Sequence, residues 1–135
     1  IITGVTQDKG GIAFCFCPAL TEGDIASCAA QGKNDRFKAL AALIDSRICS
    51  NYRLWDTNYI ALDILEGNTA GEDRYAPEAR EAFIGRMEKG LSAIVEKDPD
   101  MDKDELREIF LSIYANPVRS ARVHQAAGTG SSDPA

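Results

Sequence analysis

The residue types that most often bind metals or carry out catalysis are few and widely spaced in this sequence. Cysteines occur at positions 15, 17, 28 and 49, and the single histidine is His124. Structural zinc takes four ligands in two close pairs, and nucleophilic catalysis usually needs a histidine near its nucleophile. Only Cys15 and Cys17 form a close pair, and no acidic residue lies near His124 in the sequence. The pattern therefore indicates no metal site and no catalytic residue, and His124 is interpreted as a surface residue.

The four cysteines could in principle form two disulfides. Cys15 and Cys17 alternate along a predicted strand, however, and Cys28 and Cys49 fall in helical patterns. We favour reduced thiols buried in the core of a cytosolic protein, because cysteine is among the most buried residue types. Neither a phosphate-binding glycine spacing nor a complete calcium-binding loop occurs. The sequence thus indicates no cofactor.

One short segment concentrates aromatic residues. Residues 51–60 contain the only tryptophan, two of the four tyrosines and an arginine. Such side chains can form a binding surface, in which Arg53 stacks on Tyr52 or Trp55. They can equally fix the corner between two helices, and we favour this structural interpretation, under which Trp55→Ala lowers the thermal stability. The candidate cluster consists of Tyr52, Arg53, Trp55, Asn58 and Tyr59.

The N-terminal part of the chain is predicted to contain one or two strands. Between residues 12 and 17 both alternating sets of side chains are apolar, as in a strand covered on both faces, and Pro18 ends it. Residues 1–5 indicate the end of another extended segment before a turn at residues 7–11. Because two strands alone are marginal in water, we expect them to pack on helices or on strands missing from this chain.

About five helices are predicted after this strand. In chain order, the five helix starts are indicated by Thr21 with Asp24, by Asn34 or Asp35, by Thr57, by Pro77, and by Asp102 with Glu105. The corresponding helix ends are indicated, in the same order, by Gly32, Ser50, Gly67, Pro99 and Pro117. The apolar stripe of the second helix, expected to face the core, consists of Phe37, Leu40, Ala41, Ile44 and Ile48. The predicted fold class is therefore helix-dominated α+β, with the helices packed as a helical cap.

Length and charge limit the architecture and the partners. The 135 residues suffice for one core, and the net charge of −6 argues against nucleic acid as a partner. No apolar run is long enough to span a membrane, and no secretory signal begins the sequence, which opens on Ile1 without a methionine. We expect residues 1–20 to belong to a sheet of a larger parent protein, residues 21–117 to be helical, and residues 118–135 to form a short helix or coil and a flexible tail.

Two segments resemble a bacterial family. Residues 3–20 (TGVTQDKGGIAFCFCPAL) resemble the late strand of 1-acylglycerol-3-phosphate acyltransferase-like proteins, where a lysine–glycine turn leads into an alternating strand closed by a proline–hydrophobic pair. Residues 52–63 (YRLWDTNYIALD) resemble a segment in the subset often labelled haemolysins. Both segments lie in the first half of the chain, and neither is catalytic.

The resemblance implies an acyltransferase that acts on glycerolipid-type acceptors in phospholipid biosynthesis. The family's catalytic histidine has an aspartate five positions later, whereas Thr129 stands five positions after His124, and the family's Glu-Gly-Thr-Arg block is absent. In the family both features precede the matched strand. We therefore expect a C-terminal portion with a supporting role and no catalytic or cofactor-binding residue of its own.

The expected partners and location follow from the same resemblance. The partners are the remainder of the parent enzyme and a second copy that pairs through an exposed strand edge. The expected location is the cytoplasm, with the full-length parent peripheral to the inner membrane. The alternative hypothesis is a free-standing helical protein-interaction module.

Overall fold

A computed structural model describes residues 11–128 and divides the chain into two compact units, Ile1–Arg53 and Leu54–Ala135. The first unit contains helices α1 (Glu22–Ala29) and α2 (Arg36–Asn51). The second unit contains α3 (Asp56–Glu66), the short 3₁₀ helix η1 (Glu72–Arg74), α4 (Pro77–Lys97) and α5 (Lys103–Gly128).

The predicted α+β fold class is wrong, because residues 11–128 contain helices and no strand or sheet. Residues 12–17 form neither helix nor strand. A strand requires a hydrogen-bonded neighbour, and nothing among residues 11–128 supplies one to this segment. The predicted extended segment at residues 1–5, most of the turn at residues 7–11 and the tail after Gly128 lie outside the described residues.

The first unit is a pair of helices joined by polar contacts. Thr21 caps α1 as predicted: its hydroxyl accepts a hydrogen bond from the Asp24 backbone N–H at 3.1 Å, while the Asp24 carboxylate accepts from the Thr21 N–H at 2.7 Å. The Arg47 guanidinium on α2 donates to the same carboxylate at 2.7 Å and to the carbonyls of Pro18 and Ala19 at 3.2 and 2.6 Å. Arg47 therefore ties both the start of α1 and the chain before it to α2.

The prediction that the apolar stripe of α2 faces the core is wrong. The helix begins at the predicted position, after Asp35, but none of its residues is buried. Phe37, Ile44 and Ile48 are exposed on one helical face, whereas Leu40 and Leu43 are half-buried. Helical periodicity identified the stripe, but it could not show whether another element covers it.

The second unit has a continuous apolar core. α3 packs on α5, and α4 packs on both of them. Three aromatic rings meet inside, with the Phe83 ring 5.2 Å from Tyr114 in a T-shaped arrangement and 5.8 Å from Phe110. Such edge-to-face pairs add to the stability that comes from burying their area. The buried core side chains are Ile60, Ala61, Leu62, Phe83, Met87, Leu91, Leu111, Ala115 and Val118.

The ends of the second-unit helices are partly as predicted. Gly67 ends α3 in the left-handed conformation at a φ of 64°, and Pro77 is in the first turn of α4. The Asp102 carboxylate accepts from the Asp104 N–H at 2.8 Å, near the start of α5. The predicted cap at Thr57, with Asn58 as the first helical residue, is wrong, because α3 begins two residues earlier, at Asp56, with Trp55 as its cap.

The predicted helix end at Pro117 is also wrong, because α5 continues through it to Gly128. A proline inside a helix lacks the N–H that would bond four residues back, and it costs about 3 kcal/mol or more. Two tertiary features offset this cost. Val118 and Ala121 bury their side chains beyond the proline, and the Asn58 side-chain amide on α3 donates to the Tyr114 carbonyl at 2.9 Å, in the turn before it.

Candidate functional site

The boundary between the two units falls inside the predicted aromatic cluster. Tyr52 and Arg53 belong to the first unit, whereas Trp55, Asn58 and Tyr59 belong to the second. Tyr52 caps the end of α2, and burial together with the nearby Cys49 raises the pKa of its hydroxyl. Arg53 is exposed and Trp55 is half-buried. The five residues are therefore divided between two structural contexts.

Asn58 has a structural role. Its side-chain oxygen accepts from the Trp55 N–H at 2.7 Å, and its side-chain amide donates to the Tyr114 carbonyl. Because the side chain is buried, these bonds satisfy groups that water cannot reach. Asn58 thus fixes the start of α3 and joins it to α5.

Tyr59 lies in a cleft of about 380 Å³ between α3, η1 and the C-terminal part of α5. The walls include apolar side chains of Leu54 and Val118, and polar side chains of Arg74 and Arg122. The Arg74 guanidinium lies over the Tyr59 ring, 5.7 Å from its centre, in a cation–π contact. We call this feature the Tyr59 cleft.

A buried carboxylate beside the cleft positions the loop that carries Arg74. Asp63 is 2% exposed, and its two oxygens accept from the Gly71 backbone N–H at 3.1 and 3.0 Å. One of them also accepts from the Tyr75 hydroxyl at 2.7 Å. Burial raises the pKa of Tyr75, and the hydrogen bond to Asp63 raises it further, while Arg80 opposes the shift. Sequence analysis missed this network, although an aspartate between Leu62 and Ile64 on an apolar helix was a usable signal.

Gly71 allows the loop to lie this close to α3. A Cβ at this position would lie 3.2 Å from the Tyr59 Cβ and 3.3 Å from each Asp63 carboxylate oxygen. The absence of a side chain therefore lets the Gly71 N–H reach the carboxylate.

The first unit presents apolar side chains to solvent. We call six of these side chains the exposed apolar set. Phe14 is 86% exposed, Phe16 97% and Phe37 65%. The Arg36 guanidinium lies 4.6 Å from the centre of the Phe37 ring. The set consists of Ile12, Phe14, Phe16, Phe37, Ile44 and Ile48.

The cysteines and the histidine are dispersed in the structure. All four cysteines are free; Cys28 is buried, Cys15 is exposed, and Cys17 and Cys49 are half-buried. The expectation that all four are core thiols therefore holds for Cys28 alone: it is wrong for Cys15, and Cys17 and Cys49 are not in the core either. His124 is half-buried on α5. Across residues 11–128, no group of three or more potential metal ligands is assembled.

Comparison with protein-family models, with curated proteins and with solved structures finds no match to this chain. In the described part of the chain, no helix combines the length and the apolar character needed to cross a membrane.

Proposed function

We propose that this chain is a protein-interaction module whose first unit binds another polypeptide through the exposed apolar set. The observation that carries the proposal is α2, a helix of 16 residues with an apolar stripe and no buried residue. Because Phe37, Ile44 and Ile48 are exposed on one face of α2, this face is available for a groove on a partner. Large exposed apolar patches on folded proteins often serve in such contacts.

The local structure presents these side chains without burying them. Arg47 holds the carbonyls of Pro18 and Ala19, so that the chain just after Phe16 is fixed to α2 by polar contacts. The apolar side chains before Pro18 contribute no core in the described structure. Arg47 therefore fixes the chain that follows the exposed side chains of residues 12–16 to α2.

The size of the exposed apolar set suits a specific contact. Each phenylalanine can bury roughly 150–250 Å². Three phenylalanines thus supply roughly half or more of the ~800 Å² that each partner contributes to a standard interface. The isoleucines on α2 and at position 12 add to this area.

The chemistry of the set defines the partner. Residues 11–20 carry no charged side chain, so an ion pair from this segment cannot contribute to binding. We therefore expect an apolar groove on the partner and an affinity that changes little with ionic strength.

Site-specific photo-crosslinking in the cells that produce the protein tests the proposal. A photoreactive phenylalanine analogue replaces Phe16 in one version of the chain and Ile44 in another. We expect each version to cross-link to the same discrete partner. A Phe37→Glu substitution in the Ile44 version should remove that product, because it places a charge in the apolar contact.

Ile113 provides the matched control, because it is also exposed but lies on α5 in the second unit. The analogue at Ile113 should not produce the same cross-link. Equal products from Ile44 and Ile113, or no discrete product from either first-unit position, would contradict the proposal.

A second candidate function is the one that the family resemblance implies: a supporting C-terminal part of an acyltransferase acting on glycerolipid-type acceptors. The exposure of residues 12–16 supports it, because these residues belong to the matched segment and have no cover among residues 11–128. On this proposal the remainder of the parent enzyme covers them, and the cytoplasmic face of the inner membrane is the expected location. A second copy is the other partner to be considered.

The identity of the cross-linked partner separates the two candidates. A product within one longer polypeptide that carries the histidine–aspartate pair, together with acyl transfer by that polypeptide to a lysophospholipid, would support the acyltransferase. A separate polypeptide of different sequence would support the interaction module.

A further inference from the structure

The Tyr59 cleft has the size of a small-molecule site, and its residues are distinct from the exposed apolar set. At about 380 Å³ it falls in the range of ligand-binding clefts, and its lining is more polar than apolar. Its walls join side chains from both ends of the second unit in sequence: Leu54 just before α3 and Tyr59 on α3, and Val118 and Arg122 on α5.

The charge on the cleft differs in sign from the charge on the whole chain. Arg74 and Arg122 are cationic and Asp73 is the acidic residue among the lining side chains, whereas the chain carries a net charge of −6. The Arg74 Nε pairs with Asp73 at 3.3 Å. Arg122 is exposed and forms no ion pair with any residue that the structure describes. The cleft thus keeps one cation without a counter-ion among the described residues.

The cationic side is held in position. Asp63 accepts from the Gly71 N–H and the Tyr75 hydroxyl, which fixes the loop on both sides of Arg74. The cation–π contact with the Tyr59 ring also holds the Arg74 guanidinium. A site fixed before binding loses less conformational entropy when the ligand arrives.

We propose that the Tyr59 cleft binds a small organic carboxylate with a short apolar group. The carboxylate lies between Arg74 and Arg122, because guanidinium groups form charge-assisted hydrogen bonds with carboxylates. The apolar group lies against Leu54 and Val118. The volume has room for roughly a dozen groups the size of a water molecule, which suits a benzoate or a hexanoate.

NMR titration of the full chain tests this proposal with three probes: benzoate, hexanoate and inorganic phosphate. We expect saturable shifts of the Gly71 and Ala121 amides with both carboxylates, at dissociation constants on the order of millimolar. Phosphate should bind more weakly, because it lacks an apolar group. Tighter binding of phosphate than of both carboxylates, or the absence of saturation with either carboxylate, would overturn the proposal.

Matched arginine variants distinguish a site from a general effect of charge. Arg122→Gln should weaken binding of the carboxylates about tenfold or more, because it removes a charge-assisted hydrogen bond to the carboxylate. Arg86→Gln removes the same charge from an exposed position on α4 that does not line the cleft, and it should leave the affinity unchanged. An equal loss in both variants would show a nonspecific effect of net charge and would overturn the proposal.

Discussion

The two units of this chain place their apolar side chains in opposite ways. In the second unit Phe83 is enclosed by aromatic neighbours from α5, and its core continues through three helices. In the first unit Cys28 is the buried apolar residue among those described, and Phe37 is exposed on a regular helix. Both units have amphipathic helices of the same kind. Amphipathicity therefore specifies that a face should be covered, but it does not specify what covers it.

Polar contacts have different structural roles in the two units. In the first unit the Arg47–Asp24 pair at 2.7 Å has side chains 21% and 22% exposed and joins the helices. In the second unit the Asp63 carboxylate is buried and fixes a loop on an existing core. Partial exposure makes the first arrangement weaker, because water competes for the same groups. We accordingly expect the two units to respond differently to substitution.

The largest expected difference is between two phenylalanines. Phe83→Ala should lower the free energy of unfolding of the second unit by about 3–5 kcal/mol, because it leaves a cavity in the core. Phe37→Ala should change stability by no more than about 0.5 kcal/mol, because the side chain is exposed. Urea denaturation followed by the fluorescence of Trp55 reports on the second unit, and circular dichroism reports on both. Equal losses of unfolding free energy in Phe83→Ala and Phe37→Ala would contradict the difference in burial between the two units.

Replacement of the buried Asp63 carboxylate should cause the second-largest loss of stability. Asp63→Asn places a side-chain N–H against groups that already donate, Gly71 N–H and Tyr75 hydroxyl, and we expect a loss of about 2 kcal/mol. Asp45→Asn, at an exposed position on α2, is the control and should cost less than about 0.5 kcal/mol. Urea denaturation measures both. Similar costs would show that the Asp63 network contributes little to stability.

Two glycines in the second unit should respond with opposite signs. Gly71→Ala should destabilise by about 1 kcal/mol, because the added Cβ crowds Tyr59 and Asp63. Gly85→Ala on α4 should stabilise by about 0.5–1 kcal/mol, since nothing lies within 4 Å of its added Cβ and alanine favours the helix. Thermal melts of the two variants test the pair, and a gain in stability for Gly71→Ala would contradict the close approach.

The smallest expected effect is the pH dependence of the first unit. Hydrogen bonds from the Thr21 backbone and hydroxyl, and then the Arg47 guanidinium, lower the pKa of Asp24 from 3.8 to about 2. A lowered pKa in the folded state stabilises the fold above the unfolded value of 3.8, and this contribution is lost as the pH falls through about 2. Carbon-13 NMR titration should give this low midpoint in the native chain and a higher one in Arg47→Gln. An Asp24 midpoint near 3.8 in the native chain would contradict the hydrogen bonds that Thr21 and Arg47 donate to this carboxylate.

Sequence reasoning succeeded where the controlling interactions are local. The Thr21 capping box, the glycine end of α3 at Gly67 and the proline start of α4 at Pro77 each depend on neighbours within a few residues. These signals located the five helices in the described part of the chain. They also identified the stripe that includes Phe37 and Ile44, although not its exposure.

Sequence reasoning failed where distant residues decide the outcome. The predicted strand at residues 12–17 depended on a neighbouring strand that residues 11–128 do not supply. The predicted stop at Pro117 ignored the bond from Asn58, which lies 56 residues from Tyr114 in sequence. The Asp63 network and the Tyr59 cleft likewise join residues from α3, η1 and α5, so their geometry could not be obtained from spacing within one helix.

The sequence by itself determined where most of the helices of this protein begin and which of their faces are apolar, because capping and helical period act over a few residues. The tertiary structure alone decided which apolar face is covered, which carboxylate is buried and which arginines line one cleft. Those outcomes depend on contacts between segments far apart in the chain, and burial is a property of such contacts rather than of any single residue.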